Sequence, residues 1–597
     1  MKVLFVTTEM DDFVRVGGLA AVSAALPRAL RQWSDVRILL PGYRDVVEQF
    51  TLIQIVGQCA ALAEMPACSL GLASTKDGLP VYILLCPQLY DRPGNPYGDT
   101  AGRDWPDNDV RFGRFASAAA QLAAGTLDKN WAADLVHAND WQAALVPAYL
   151  AWNEVRIPTI LTIHNLAYQG LFPKESLRRI GAPEHSFHIE GLEFYDKLSF
   201  LKGGIVYASH LTTVSETYAR EITTQELGCG LEGLLRRRSD AAQLTGILNG
   251  IDESWDPRVC AQLAQPFGAG DWEGKRANAD YVRQQFGLAL SRGPIFGLVA
   301  RLVHQKGVDL VLSAADEIIE AGGQIVAIGS GEPEIEQALI DAHRRRPDAI
   351  GVAIGFNDGQ ARRIFAGSDF TLMPSRFEPC GLSQMYAQKF GSLPIGHQTG
   401  GLAETIMDGE TGFLFTQPST ESFLGGIRRA FTTFVAKDRL DSMRRNAMSR
   451  SFSWDISAAC YSALYRKACR HSANQFVSPL ACLVRAAPRF RHHKPDHDEA
   501  RGRNRREPRE CDAASEMIGD VAGQHCAERG ADSDRGADDA LCQIEMTASE
   551  GDVGDNQRNH DTEYRGGDAV EHLHCDQHIR IAHGGEQQAA DRQRGKA

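Results

Sequence analysis

The chain has 597 residues, a formal net charge of -13, and 43% hydrophobic and 23% charged residues. Its length exceeds what one hydrophobic core organises, so two or more domains are expected. The acidic balance argues against a protein that coats nucleic acid, where a basic stripe is expected.

Read in chain order, short β-branched runs alternate with longer helical stretches. The first run meets Glu9, Asp11 and Asp12 too soon to be a signal-peptide core or a membrane span. No later stretch is apolar for long enough, so the expected location is the cytoplasm, without membrane contact. The 13 scattered cysteines are expected to be thiols rather than a disulfide framework. Residues 2–7, 36–40, 80–86, 133–137, 159–164 and 210–215 read as buried strands, with helical segments such as 20–32, 110–124 and 142–152 between them. Runs that are apolar on both faces and separated by helices predict a parallel sheet covered on both sides. After the turn-rich Leu248-Asn249-Gly250-Ile251-Asp252 the pattern restarts. Strands are predicted at 294–300, 323–328, 350–355, 370–374 and 392–395, with helices such as 307–321 and 334–344. Two doubly wound domains facing a cleft is the economical reading. Site residues should then follow strand ends, because ligands bind beyond the carboxyl edges of such sheets.

Five constellations sit at such places. Arg15-Val16-Gly17-Gly18-Leu19 follows the first strand and precedes a helix, where free amides and a cation suit phosphate; a plain turn with a surface arginine looks the same. Val136-His137-Ala138-Asn139-Asp140-Trp141 and Thr162-Ile163-His164-Asn165-Leu166 put Asp140 and His164 at strand ends as candidates to organise a reacting sugar, although a lone histidine there is commonly structural. Arg301, with Gln305-Lys306-Gly307, supplies two cations able to neutralise a departing pyrophosphate. In Ser375-Arg376-Phe377-Glu378-Pro379-Cys380-Gly381-Leu382, Glu378 can pair sugar hydroxyls while the next amides face a phosphate. A helix with an acidic first turn has the same appearance. Thr399-Gly400-Gly401-Leu402 is either an amide cradle for phosphate or a tight turn. The string Asp107-Asn108-Asp109 runs straight into a predicted helix, so helix capping is its expected role rather than metal binding.

Together these strings resemble the bacterial glycogen synthase and plant starch synthase family. The resemblance runs from Met1 to about Cys469 and includes LYDRPGNPYGD, VHANDW, TIHNLAYQG, LEFYDKLSFLKGG, TTVSETYAREI, LNGID, RLVHQKG, PSRFEPCGL and TGGLAET, in order. It implies two Rossmann-like domains of the GT-B type, expected at 1–246 and 247–452, and a final helix within 453–473 returning to the first. It also implies a retaining transferase that moves glucose from ADP-glucose to an α-1,4-glucan such as glycogen, with no metal or other cofactor. By that likeness Arg301 and Lys306 bind donor phosphates, with Thr399 and Gly400 nearby. Glu378 and the amides around Cys380, Gly381 and Leu382 hold the donor glucose, with Ser375 beside them. Phe356 falls where a ring stacks on adenine. Asp140, His164, Asn165 and Asn249 line the reacting sugar, Tyr97 shapes the cleft entrance, and Arg15, Gly17 and Gly18 form the first-domain loop. The chain departs from the family's usual Lys-Thr-Gly-Gly-Leu-Gly/Ala-Asp at two places: Arg15 keeps the charge with another shape, and Ala21 removes a carboxylate. A catalytically impaired glucan-binding homologue, or a relative using UDP-glucose, therefore stay open as alternatives. A glucan phosphorylase fits less well, since no lysine-bearing segment stands out as a cofactor site.

From residue 474 the periodicity fades into Arg, His, Asp, Glu and Gly, and ten of the 18 histidines lie at or after His471. Such a composition cannot offset chain entropy by burial, so 474–597 is expected to be disordered; a reading-frame change or an unrelated extension would look the same. The tail's His572, His574, Cys575 and His578 have imidazole and thiolate spacing that could hold zinc, but without a surrounding core the expected reading is incidental clustering in a His-rich segment. Truncation near His471 is expected to leave transferase activity intact. A large loss of activity or solubility, measured on the purified truncated chain, would overturn the disordered-tail reading.

Overall fold

The structure, a computed structural model, describes residues 1–355 and 357–476, with side chains as far as residue 470. The expectations for the tail, including its His572–578 cluster, and for Phe356 lie outside the described residues.

The first lobe is built on β1 (Lys2–Val6), β2 (Asp35–Pro41), β3 (Gln54–Cys59), β4 (Cys68–Ser74), β5 (Pro80–Leu85), β6 (Leu135–Asn139) and β7 (Thr159–Ile163). A small antiparallel sheet follows, made of β8 (Leu171–Phe172), β9 (Glu193–Phe194) and β10 (Lys197–Ser199), before β11 (His210–Thr213) and β12 (Leu244–Gly246) complete the main one. The order of that sheet is β12-β11-β7-β6-β1-β2-β5-β4-β3, parallel up to β5 and closed at one edge by the antiparallel β3–β4 pair. Phe5 lies between Ile38 and His137 in this register. Every residue of β6, β7 and β11 is buried, as a strand with helices on both faces requires. The second lobe is a six-stranded parallel sheet of β13 (Ile295–Val299), β14 (Gln324–Gly329), β15 (Ile350–Ile354), β16 (Phe370–Met373), β17 (Leu393–His397) and β18 (Phe413–Phe415), in the order β15-β14-β13-β16-β17-β18. The helix Val308–Glu320 covers it with Val308, Val311, Ala315 and Ile318, a spacing that places them on one face.

The predicted strands are present, with β3, β4, the small sheet, β12 and β18 added. The segment 142–152 is not one helix. It breaks into Asp140–Ala143 and Val146–Trp152, with Pro147, which has no N–H to donate, at the start of the second piece. The capping expectation for Asp107 also fails. Asp107 occupies the N-cap position of the helix Asn108–Ala123, but its carboxylate pairs with Arg92 at 2.6 Å and caps nothing. Asp109 is buried and paired with Arg179 at 2.7 Å.

The chain crosses from the first lobe near Leu248 and returns near Phe452, and the two passages touch. The Ile251 amide donates to the Phe452 carbonyl at 2.8 Å, and Ser457 Oγ donates to the Leu248 carbonyl at 2.5 Å. The closing helix Trp454–Phe476 then lies on the first lobe, where Tyr465 Oη meets His137 Nδ1 at 2.6 Å and Thr162 Oγ1 meets His137 Nε2 at 2.6 Å. Burial holds the fully enclosed His137 down at a pKa of about 3. Because the folded pKa is lowered, the unfolded chain takes up a proton near pH 6.5 that the folded chain refuses until about pH 3. Stability from this group is therefore complete above pH 6.5 and lost as pH falls, by up to about 1.4 kcal/mol per pH unit. In urea unfolding between pH 7 and 5, His137→Gln is expected to flatten that acid slope.

Candidate active site

The site forms where the carboxyl edges of the two sheets face each other. Ser215, after β11, donates to the Pro379 carbonyl, after β16, at 2.6 Å. Arg301, after β13, reaches Tyr168, after β7, at 3.2 Å. Glu221 accepts from Thr399 Oγ1 and the Gly400 amide at 2.9 and 3.0 Å, while Glu404 accepts from the Thr217 amide at 2.5 Å.

On the first lobe, Asp140 immediately follows β6 and holds φ at 54°, a left-handed conformation that a non-glycine residue adopts at a cost. Its carboxylate accepts the His164 amide at 2.7 Å. Asn139 Nδ2 donates to the Val6 carbonyl at 3.1 Å, which turns its Oδ1 toward His164 Nε2 at 3.0 Å and fixes that nitrogen as the protonated one. Burial keeps His164 neutral, with its pKa near 3. Burial, reinforced by the charge of Glu9, raises Asp140 to about 7 against the pull of the His164 and Asn165 amides. Asn165 Oδ1 accepts the Ala167 amide at 3.1 Å and shapes the turn after β7.

Glu9 has no motif around it and was not singled out by the sequence, yet it organises this wall. Its Oε2 accepts the Val16 and Gly17 amides at 2.8 and 2.9 Å, and its Oε1 accepts the Tyr97 hydroxyl. Tyr97 is presented by a loop that Arg111 holds through the Leu89 and Pro96 carbonyls at 2.8 and 3.0 Å. A Cβ on Gly17 or Gly18 would meet no protein atom within 4 Å, so these glycines border open space rather than a packed neighbour. Arg15 pairs with Asp11 at 3.4 Å.

On the second lobe, Lys306 Nζ lies 2.5 Å from Glu378 Oε2, which also accepts the Ser375 hydroxyl at 2.8 Å. Side-chain exposure is only 16% for Lys306 and 6% for Glu378, so water screens the pair weakly. The Lys306 turn is fastened to the Glu378 loop by Gln305, whose side chain donates to the Phe377 carbonyl at 3.0 Å and whose carbonyl accepts the Arg376 amide at 2.8 Å. Gly307, at φ 66°, passes so close to Pro374 that a Cβ would lie 2.1 Å from its carbonyl oxygen. Gly400 and Gly401 cross the Glu378 loop in the same way, their Cβ positions 1.9 and 2.0 Å from the Glu378 and Cys380 carbonyl oxygens. Close backbone approach therefore accounts for this glycine pair, and the Thr399 and Gly400 donors face a first-lobe carboxylate. Gly381 sits at φ 69°, and Leu382 is the uncapped start of the helix Ser383–Lys389. Burial pushes the Cys380 thiol up to about 12, which removes it as a nucleophile at neutral pH. Asn249 is buried beside it with a side-chain oxygen that has no partner. The structure thus brings Asp140, His164, Asn165, Tyr97, Gly17 and Gly18 to one wall. Arg301, Lys306, Ser375, Glu378, Cys380, Gly381, Leu382, Thr399 and Gly400 lie on the other, with Asn249 at the crossing.

Two Rossmann-like lobes with opposed carboxyl edges and these loops define a glycosyltransferase of the GT-B class. Residues 2–237 match the family model for the starch synthase catalytic domain, and residues 283–449 that for glycosyl transferases group 1. Glycogen synthase 1 of Bradyrhizobium diazoefficiens is 83% identical over 458 residues, 77% of this chain and 99% of that protein. Glycogen synthase of Pseudomonas fluorescens is 54% identical over 466 residues, 78% of this chain and 89% of that protein. Among solved structures, the catalytic domain of starch synthase IV from Arabidopsis thaliana, bound to ADP and acarbose, superposes with a TM-score of 0.69 at 31% identity, covering 79% of this chain and 99% of that one. The chain belongs to the glycogen synthase/starch synthase family and is a glucosyltransferase, with a nucleotide-sugar donor and a glucan acceptor. No helix among the described residues is long and apolar enough to cross a membrane.

Lys306→Met leaves the buried Glu378 carboxylate with Ser375 as its remaining partner. The expected outcome is a fall in kcat of about 10²–10³-fold with unchanged circular dichroism; undiminished turnover would remove Lys306 from the catalytic apparatus.

Proposed function

We propose that this chain is a glycogen synthase that transfers glucose from ADP-glucose to the non-reducing end of an α-1,4-glucan, with retention of configuration and without a metal. The observation that carries the reading is the Lys306–Glu378–Ser375 cluster, with Arg301 alongside, set opposite Asp140 and His164 across the cleft. Arg301 and Lys306 are two cations where a diphosphate would sit, and they supply the charge that a metal ion provides in other transferases. Glu378, released from part of its pairing with Lys306 by the arriving phosphates, accepts hydroxyls of the donor glucose. The amides of Cys380, Gly381 and Leu382 face the same sugar.

Asp140 is the first-lobe carboxyl set against the reacting sugar. With a pKa of about 7 it is partly protonated in the free protein, and positive charge developing on the glucosyl ring would favour its ionised form. Reaction on one face, with the leaving phosphate oxygen taking the acceptor hydroxyl's proton, requires no protein nucleophile, unlike many retaining glycosidases. The adenine preference rests on the likeness to a starch synthase described with ADP, and the proposed place of action is the cytoplasm.

Ala21 favours a second reading, an impaired glucan-binding homologue. Glu9 opposes it, because a carboxylate still grips the glycine loop. Incubation with radiolabelled ADP-glucose or UDP-glucose, glycogen and a chelator separates the readings. Label passing from ADP-glucose into glycogen is expected. Transfer from UDP-glucose alone would revise the donor, and no transfer with retained ADP binding would put the impaired reading first.

A further inference from the structure

Two short helices meet where the lobes face each other. Glu216–Glu221 follows β11 on the first lobe, and Gly400–Thr405 follows β17 on the second. The end of each lies at the start of the other, and each brings a carboxylate to an amide there. Glu221 Oε1 accepts the Gly400 amide at 3.0 Å, and Glu404 accepts the Thr217 amide at 2.5 Å. The first amides of a helix have no partner within it, so an acceptor supplied by the other lobe satisfies them. Thr399 Oγ1 donates to the same Glu221 oxygen at 2.9 Å. The second oxygen, Oε2, is enclosed without a partner, so among the described residues the hydrogen bonds of this side chain all come from Thr399 and Gly400.

This contact reaches the donor side of the cleft in one further step. The Gly401 amide donates to the Glu378 carbonyl at 3.0 Å, and a Cβ on Gly400 would lie 1.9 Å from that oxygen. The turn that Glu221 grips therefore lies directly on the main chain of Glu378. Ser215 caps the helix Glu216–Glu221 by accepting the Tyr218 amide at 3.1 Å, and donates to the Pro379 carbonyl at 2.6 Å. One first-lobe helix thus holds Glu378 and Pro379 at consecutive carbonyls, once through the glycine turn and once directly. Ser215, Thr399 and Glu378 are all buried, so water competes little for these bonds.

We propose that Glu221 is a positioning residue for the nucleotide-sugar donor. It clasps the Gly400 turn from the opposite lobe, the turn sets the Glu378 loop, and Glu378 meets the donor glucose. Thr399 and Gly400 serve this clasp and are not ligands of the donor phosphates, which fall to Arg301 and Lys306. A phosphate on those two donors would have to displace the Glu221 carboxylate, one anion for another. The assignment rests on the donor site proposed above.

Initial rates are measured on the full chain and on E221A, E221Q, T399V and E221A/T399V, varying nucleotide-glucose at saturating glycogen and then the reverse. The donor is whichever nucleotide-glucose the unaltered chain uses, so failure of ADP-glucose counts against the donor reading and not against the clasp. E221A is expected to raise the donor KM about tenfold while the glycogen KM stays within about twofold. E221Q keeps an acceptor oxygen and is expected to restore most of the loss. T399V cuts the same contact from the other lobe, and serves if E221A does not fold. The double variant is expected to match E221A, because both substitutions act through one contact. A donor KM that falls in E221A would mean that Glu221 competes with the phosphates, and additive losses would put Thr399 on the phosphate itself; either overturns the clasp. So does a lowered melting temperature with both KM values unmoved, a rise in both KM values together, or no rescue by E221Q.

Discussion

A carboxylate withdrawn from water has to be matched on the spot, and Glu378 is the carboxylate around which the second lobe's face of the cleft is arranged. Lys306 and Ser375 match it only because three glycines let main chains cross at distances that a Cβ would forbid. Gly307 lets the Lys306 turn lie under Pro374, and Gly400 and Gly401 lay a second turn across the Glu378 loop. Short strand-to-loop transitions at β13, β16 and β17 thus converge on one charge.

The opposite wall is arranged by a different carboxylate. Glu9 closes the glycine loop by accepting its amides and holds Tyr97 by its hydroxyl, while its charge helps lift Asp140. His164, kept neutral, adds no cation there. The cleft consequently sets the Arg301 and Lys306 cations on the second lobe against the Asp140 carboxyl and the neutral His164 on the first. A donor with an anionic leaving group and a sugar that gains positive charge matches that polarity.

The parallel strands were legible because both faces of each are covered, which makes them near-continuous apolar runs. The site strings were legible because their residues follow strand ends. What escaped had a physical reason. β3 and β4 form an edge pair interrupted by Gly57, Gly71 and a register shift, so no alternation marks them. The break before Pro147 lay inside an apolar stretch that reads as continuous helix. Glu9 and Glu221 are lone acids whose partners are backbone amides, and a lone acid leaves no spacing to read. The Gly400-Gly401 pair was visible, but sequence alone cannot separate a glycine that admits a ligand from one that admits another strand of the same chain.

The closing helix has a consequence for the order in which the protein is made. Tyr461 and Tyr465 belong to the first lobe's core, yet they lie beyond the whole second lobe in the chain. A ribosome would therefore release the first sheet long before the helix that covers His137 exists. Until then the face around His137 and Thr162 stays uncovered, a wet polar seam in a nascent domain that can be nearly complete but not sealed. The second lobe must be synthesised, though not necessarily folded, before the first can finish.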